Sequence, residues 1–462
     1  MIDSFASCVP RAVRASMVPA VLIGSCLATG SVAMGCSRVA ASSRPSAETQ
    51  KGAPSPGEPS DTTTVLALAS THDDGETDRS IAHDEVIATK LPSKPESWTL
   101  LGSAWVRKAR ESSDPGYYLN ANACADLALR ASPGDAGALD LRAMVLLNQH
   151  RFDEARSLSE SVVGRVTDDS VAYGTLSDAL LELGRIDPAT TAAQAMMDLK
   201  PSAASYSRAA HLRWIRGDVA GAERIMREAI DSTAAGRHSE PRAWVLSDAA
   251  MLFWHRGDYD GADAGFDLAL ASLADYPPGL VGKARVRLAK GDGEGAASLL
   301  ERAYAKSPLV ETAWLLGDSF ALAGDEALAR SAYERVERDG RRIDPRTLSL
   351  FESTKGRDAA EALDLAERER TTRDDAYTED AYAWALYRSG RFAEARRASD
   401  AATQWGTPDA RLIYHGGAIR IAEGDAAGGR KLVERALALN PRFDVTAAAE
   451  ARRLLGRDHG SP

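Results

Sequence analysis

Apolar residues in this chain recur at helical spacing in short runs, and each run breaks at a glycine before the next begins. "LLELGRIDPATTAAQAM" (180–196), "FWHRGDYDGADAGFDLAL" (253–270) and "WALYRSGRFAEARRASDAA" (384–402) restate one phrase. Ahead of the glycine stand residues such as Tyr173, Leu176, Leu180 and Leu183; beyond it, Phe266, Ala269 and Leu270 resume the same interval. Apolar positions three and four residues apart predict an amphipathic helix on each side of a turn.

A small residue in the second half of each phrase sets the period: Ala121, Ala155, Ala189, Ala222, Ala262, Ala296, Ala329, Ala362, Ala395 and Gly429. Successive separations are 34, 34, 33, 40, 34, 33, 33, 33 and 34 residues. A glycine stands five or six residues ahead of most of them (Gly116, Gly184, Gly217, Gly257, Gly291, Gly324, Gly356, Gly390 and Gly424), and His150 takes that place in the second unit. Each unit therefore reads as a helical hairpin. Glycine supplies the left-handed residue that ends the first helix. The small residue lies where the second helix crosses the first, and a bulky side chain there would push the axes beyond about 8–10 Å. Pro133, Pro201, Pro308 and Pro441 stop the second helices. No strand-like alternation interrupts residues 102 to 441.

These units resemble the tetratricopeptide repeat, a helix–turn–helix of about 34 residues. The likeness covers roughly residues 102 to 441 and is thinnest in the eighth unit, "TLSLFESTKGRDAAEALDLAERE"; the tenth departs from it by carrying Gly429 where Ala is usual. It implies an all-α solenoid of about ten hairpins over residues 98–456, wound into a right-handed superhelix with a long concave channel. "NPRFDVTAAAEARRLLG" then reads as a C-terminal capping helix, which covers the last exposed core face.

The resemblance also implies that the first helix of each hairpin lines the concave face. In this register Met144, Asp178, His211, Trp214, Trp244, Met251, Trp254, His255, Arg285, Trp314, Asp318, Trp384, Tyr387, Arg388 and Tyr414 point there. Exposed indoles are favoured binding anchors, so Trp214, Trp244, Trp254 and Trp314 predict an aromatic groove for a peptide or partner helix. A shift of one position buries the rings between hairpins instead. Some members of the family clamp a carboxylate with Lys and Asn, but those positions here hold residues such as Asp178, His211, Met251 and Arg285. The 40-residue spacing in the fifth unit marks about six extra residues near 232–243, read as a longer loop or as a lip over the groove.

Ahead of the repeats, Arg11 and Arg14 precede a charge-free stretch running to Arg38, the pattern of a secretory signal. "IGSC" and "AMGC" both resemble the bacterial lipoprotein cleavage box; cleavage before Cys36 leaves a polar end, so residues 1–36 are read as the signal and Cys36 as the lipidated residue, in preference to Cys26. An uncleaved anchor and a secretory signal without lipid are the alternatives. Residues 37–97, rich in Ser, Thr, Pro and Gly, are expected to form a disordered tether spanning about 40–50 Å, and residues 457–462 a disordered tail.

The chain has 462 residues and a net charge of −10, which argues against a nucleic-acid partner. Of four cysteines, Cys8, Cys26 and Cys36 precede the repeats, leaving Cys124 to be read as a small buried apolar residue. Phosphate-loop, paired-cysteine, metalloprotease and serine-elbow motifs are absent. No catalytic residue, metal or cofactor is assigned. The expected function is a non-catalytic scaffold of the bacterial cell envelope, exported and lipid-anchored or periplasmic, that binds a protein or peptide. The alternative is an enzyme or enzyme subunit with an unrecognised site in the groove.

Overall fold

The computed structural model describes residues 62–71, 73–234, 236 and 238–456. The expected signal, Cys36, the tether up to residue 61 and the tail at 457–462 lie outside these residues. No described helix is long and apolar enough to cross a membrane.

Ten hairpins follow one another, each an inner helix and then an outer one. In the first half, α3 (Pro95–Ser112) pairs with α4 (Tyr117–Ala131), α5 (Ala136–Asn148) with α6 (Phe152–Val163), and α7 (Ser170–Glu182) with α8 (Ile186–Leu199). Next, α9 (Ala203–Ile215) pairs with α10 (Val219–Ser232) and α11 (Ser239–His255) with α12 (Tyr259–Ser272). In the second half, α13 (Pro277–Ala289) pairs with α14 (Gly293–Lys306), α15 (Val310–Ala323) with α16 (Glu326–Ile343), and α17 (Pro345–Lys355) with α18 (Ala359–Glu369). Then α19 (Ala376–Arg388) pairs with α20 (Phe392–Thr403) and α21 (Ala410–Glu423) with α22 (Ala426–Leu439), and α23 (Ala447–Leu454) caps the array. The fold is an all-α solenoid with no strand among the described residues.

The turn residues explain the hairpins. Gly184, Gly217, Gly257, Gly291, Gly324, Gly356, Gly390 and Gly424 all have φ between 65° and 109°, and His150 adopts 58° in the second unit. The first unit departs from expectation: Gly116 is right-handed (φ −55°) and Ser113 takes the left-handed turn (φ 53°). An aspartate then caps most outer helices. Asp218, Asp258, Asp292, Asp325 and Asp425 each accept from the backbone N–H three residues on, satisfying a donor that the helix start leaves open. The small residues at the crossings are buried as the spacing requires. Gly429 is smaller still because Gly417 crosses it: a Cβ at position 429 would stand 2.5 Å from the Gly417 carbonyl oxygen. Cys124 is buried in the core, and burial pushes its thiol pKa upward.

Residues 62–97 correct the expectation of a continuous disordered tether. They carry α1 (Thr62–Ala67) and α2 (Glu76–Lys90), which pack on the first hairpin. Ile81 and Ala88 are buried with Trp98, Leu101 and Trp105, and each large apolar side chain so buried contributes about 1.5–3 kcal/mol. Trp105 Nε1 donates to Ala67 O at 3.1 Å, and the Lys108 ammonium pairs with Asp78 at 2.8 Å. These two helices close the N-terminal end of the stack as α23 closes the other.

Successive turns of the superhelix touch. Asp374 N donates to Glu182 O (3.1 Å) and Thr407 Oγ1 to Ile215 O (2.8 Å). Asn440 Nδ2 donates to Trp254 O (2.8 Å), and Ser307 Oγ to Ser113 O (2.6 Å). In each case a carbonyl at the end of one inner helix accepts from the segment six hairpins later; those of Glu182 and Ile215 are left over by their helices, whereas that of Trp254 also takes the Gly257 N–H at 2.9 Å. Six hairpins thus complete a turn, and the axis is walled laterally.

Candidate functional site

Between the touching turns lies a partly open cavity of about 300 Å³ on the axis. All inner helices from α3 to α15 contribute to its wall, together with the starts of α17 and α19. Helix α11 dominates one side, because Trp244, Ser247, Asp248 and Met251 recur at three- and four-residue intervals and share a face. This helix absorbs part of the insertion in the fifth unit. Its first turn carries Glu240, whose carboxylate takes two bonds from Arg110 Nη2 on α3, at 2.7 and 2.9 Å. The extra residues therefore bridge the axis, tying the fifth hairpin to the first.

The aromatic groove expected from the sequence is corrected by burial. Trp214 and Trp244 are 3% exposed, Trp254 6% and Trp314 8%. Their neighbours within the stack cover them. Trp214 lies 4.5 Å from the His255 ring and Trp254 5.6 Å from Tyr259, while Trp314 meets Phe351 edge-on at 5.5 Å. Trp384 is sandwiched by Tyr387 (4.6 Å) and His415 (4.0 Å), and Tyr414 is buried beside it with its hydroxyl on Glu450. Trp254, Trp314, Trp384, Tyr387 and Tyr414 therefore belong to the core and not to a ligand groove. The register is the expected one, since Met144, Asp178, His211, Met251 and Arg285 of the same set line the cavity; packing between neighbouring hairpins covers the rings.

Five of the ten predicted binding residues do come together. His211, Trp244 and Met251 line the main cavity, and His211, Met251, Trp214 and His255 line a smaller one of about 40 Å³. Asp248, which the sequence reading passed over, belongs to both walls. Its signal was an acid inside the otherwise apolar run "WVLSDAAMLFW". Asp178 and Arg285 also reach the main cavity, whereas Asp318 is held by Lys355 and Tyr333 elsewhere.

The electrostatics of this region follow from burial. Burial pushes the Asp248 carboxyl well above the ordinary carboxylate range; Arg110 opposes the shift and Glu240 adds to it. The same desolvation lowers His211 to about 4, helped by His255, and lowers His255 despite the Asp409 carboxylate 3.8 Å away. Both imidazoles are neutral at neutral pH. Asp248 Oδ2 and Trp244 Nε1 have no hydrogen-bond partner. A second His–Asp pair, His415 with Asp380 at 2.9 Å, is 1% exposed on both sides and sits within the core, where no substrate reaches it. No cluster of three metal-ligating side chains occurs among the described residues.

No family model matches the chain, and no curated protein matches it. Solved structures do. A tetratricopeptide repeat protein from Parabacteroides merdae is 16% identical, with 52% of this chain and 93% of that one covered and a TM-score of 0.38. The human IFIT1 dimer with PPP-AAAA is 13% identical over 80% of this chain and 96% of that one, with a TM-score of 0.46. PilW, a type IV pilus biogenesis factor, is 14% identical over 47% and 97%, with a TM-score of 0.39. The assignment rests on the hairpins themselves: the chain is an all-α solenoid of ten tetratricopeptide-like units, closed at both ends by additional helices.

Proposed function

We propose that this protein is a non-catalytic protein-binding scaffold of the bacterial cell envelope, which receives one projecting group of its partner in the central cavity. The observation that carries this reading is the cavity itself. Its volume lies at the lower end of ligand sites, about 300–1,000 Å³, and its wall combines apolar side chains with a few polar groups. The bonds between superhelical turns wall the axis laterally, and a cavity of this size suits an end or a side chain of the partner better than a length of extended chain. Export and tethering by lipid on Cys36, or by an uncleaved anchor, place the scaffold at a membrane in this proposal. The buried His–Asp pair gives no support to a catalytic role.

Two experiments test it. Labelled fatty acid should enter the wild type and not Cys36→Ser; equal labelling rejects lipidation there. Partners captured from envelope extract should be depleted when Met251→Trp fills the cavity. Undiminished recovery with a folded variant refutes the cavity as the docking site.

A further inference from the structure

Five carboxylates line the main cavity: Asp178, Glu182, Asp248, Glu311 and Asp375. Four are matched by arginines. Arg208 holds Asp178 at 2.6 Å, Arg373 holds Glu182 at 3.1 Å, Arg285 pairs with Glu311, and Arg346 with Asp375 at 3.3 Å. Arg110, the remaining arginine of the wall, is committed to Glu240 at 2.7 Å. Asp248 alone has neither an ion pair nor a hydrogen bond, although it is only 8% exposed. Buried polar groups are nearly always satisfied in a folded protein. Here a lone acceptor shares with Met251, Val281 and Leu181 the wall of a cavity whose other carboxylates are arginine-matched. The partner that fits is a cation with an apolar body.

We propose that the cavity seats a primary ammonium group bearing an apolar substituent. The ammonium lies against the Asp248 carboxylate, and the substituent packs on Met251 and Val281. A peptide amino terminus and a free amino-acid amide share this chemistry. The proposal builds on the cavity as the docking site and names the group it receives. The charged and titratable groups facing Asp248 are Arg110 on α3, Glu240 on α11 and His211 on α9. Burial disfavours charge on Asp248, so seating the ammonium is linked to loss of a proton there, and binding tightens as pH rises until the ligand's own ammonium titrates.

Calorimetric titration of the full chain tests this with four probes: leucinamide, the tripeptide Leu-Ala-Ala, and the N-acetyl form of each. Leucinamide and the free tripeptide should bind, and acetylation should weaken binding about tenfold or more, as loss of a charge-assisted pair does. Asp248→Asn should lose affinity to the same extent. Tighter binding of the tripeptide assigns the site to a polypeptide terminus; tighter binding of leucinamide assigns it to a free amine. The proposal is overturned if neither amine binds, if acetylated probes bind equally well, or if folded Asp248→Asn binds as the wild type does. Should Asp248→Asn fail to fold, the acetylation comparison on the wild type decides. Loss of the amine result while Met251→Trp still depletes the captured partner sinks this inference alone and leaves the scaffold reading standing.

Discussion

Replacing Gly184 and Gly390 by alanine isolates what holds one superhelical turn on the next. Both glycines sit at hairpin turns with nearly equal φ, 69° and 75°. An alanine in that left-handed region costs about 1–2 kcal/mol, and the stiffer unfolded chain returns about 0.4–1 of it. Their surroundings differ. A Cβ at 390 meets nothing within 4 Å, whereas one at 184 collides with the Asp374 carbonyl of the turn above. That backbone must move, which threatens the bond from Asp374 N to Glu182 O and the Arg373–Glu182 pair. Overpacking adds about 1–3 kcal/mol and the lost hydrogen bond about 0.5–1.5. Gly390→Ala should therefore cost about 1 kcal/mol and Gly184→Ala about 2–5. Denaturant titration measures the totals. Because long repeat arrays can unfold in parts, amide exchange should be followed at Asp374 as well, where Gly184→Ala alone should lose protection. Equal destabilisation by the two variants, or unchanged protection of Asp374, refutes the docking of successive turns.

Three further outcomes are expected. Glu240→Gln removes the buried counter-charge of Arg110 and should destabilise by about 3–5 kcal/mol; a Tm unchanged from wild type would show that the fifth-unit insertion does not brace the axis. His211 has a folded pKa of about 4, below the ordinary value of 6.5. The unfolded chain therefore takes up the proton first, and stability falls as pH drops from about 6.5 towards 4, by about 1–3 kcal/mol. His211→Gln should flatten unfolding curves in that window, and an unaltered slope contradicts the assignment. Gly429→Ala forces α21 and α22 apart at their crossing and should lower stability by about 1–3 kcal/mol, whereas Ala395→Gly, the reverse change at the equivalent crossing, should cost about 1 kcal/mol through helix propensity.

The hairpins were legible because their cause is local. A glycine after an apolar run ends a helix wherever it occurs, and the Gly–Ala spacing counts the units without knowledge of their packing. His150 was legible in the same way, since a fixed period left only one place for the left-handed residue. Gly116 misled because Ser113 reaches the same conformation three residues earlier, and serine does not advertise it. The recurring Gly-Asp pairs at 217–218, 257–258, 291–292, 324–325 and 424–425 were a readable capping signal that went unread. Helices α1 and α2 were hidden by averaging, since two short apolar segments are diluted in a stretch dominated by Ser, Thr and Pro.

The cavity escaped the sequence for a different reason. Superhelical pitch is the sum of small rotations between neighbouring hairpins, and no single residue states it. Whether Trp214 or Trp254 faces solvent depends on that sum, because the same inner-helix face lines an open channel at a loose pitch and a filled axis at a tight one. The contacts that settle the pitch here link residues 186 to 194 apart: Trp254 with Asn440, Glu182 with Asp374, Ile215 with Thr407 and Ser113 with Ser307. Each uses a backbone carbonyl, which any residue supplies, and the donor at Asp374 is a backbone amide as well, so the sequence carries at most the donor's half of the message. Side-chain chemistry becomes informative again once the axis is walled. A lone aspartate on an inner helix is unremarkable beside an open channel, where water satisfies it. In the wall of the axial cavity the same Asp248 is 8% exposed with neither ion pair nor hydrogen bond, and that distinguishes it from the arginine-matched carboxylates around it.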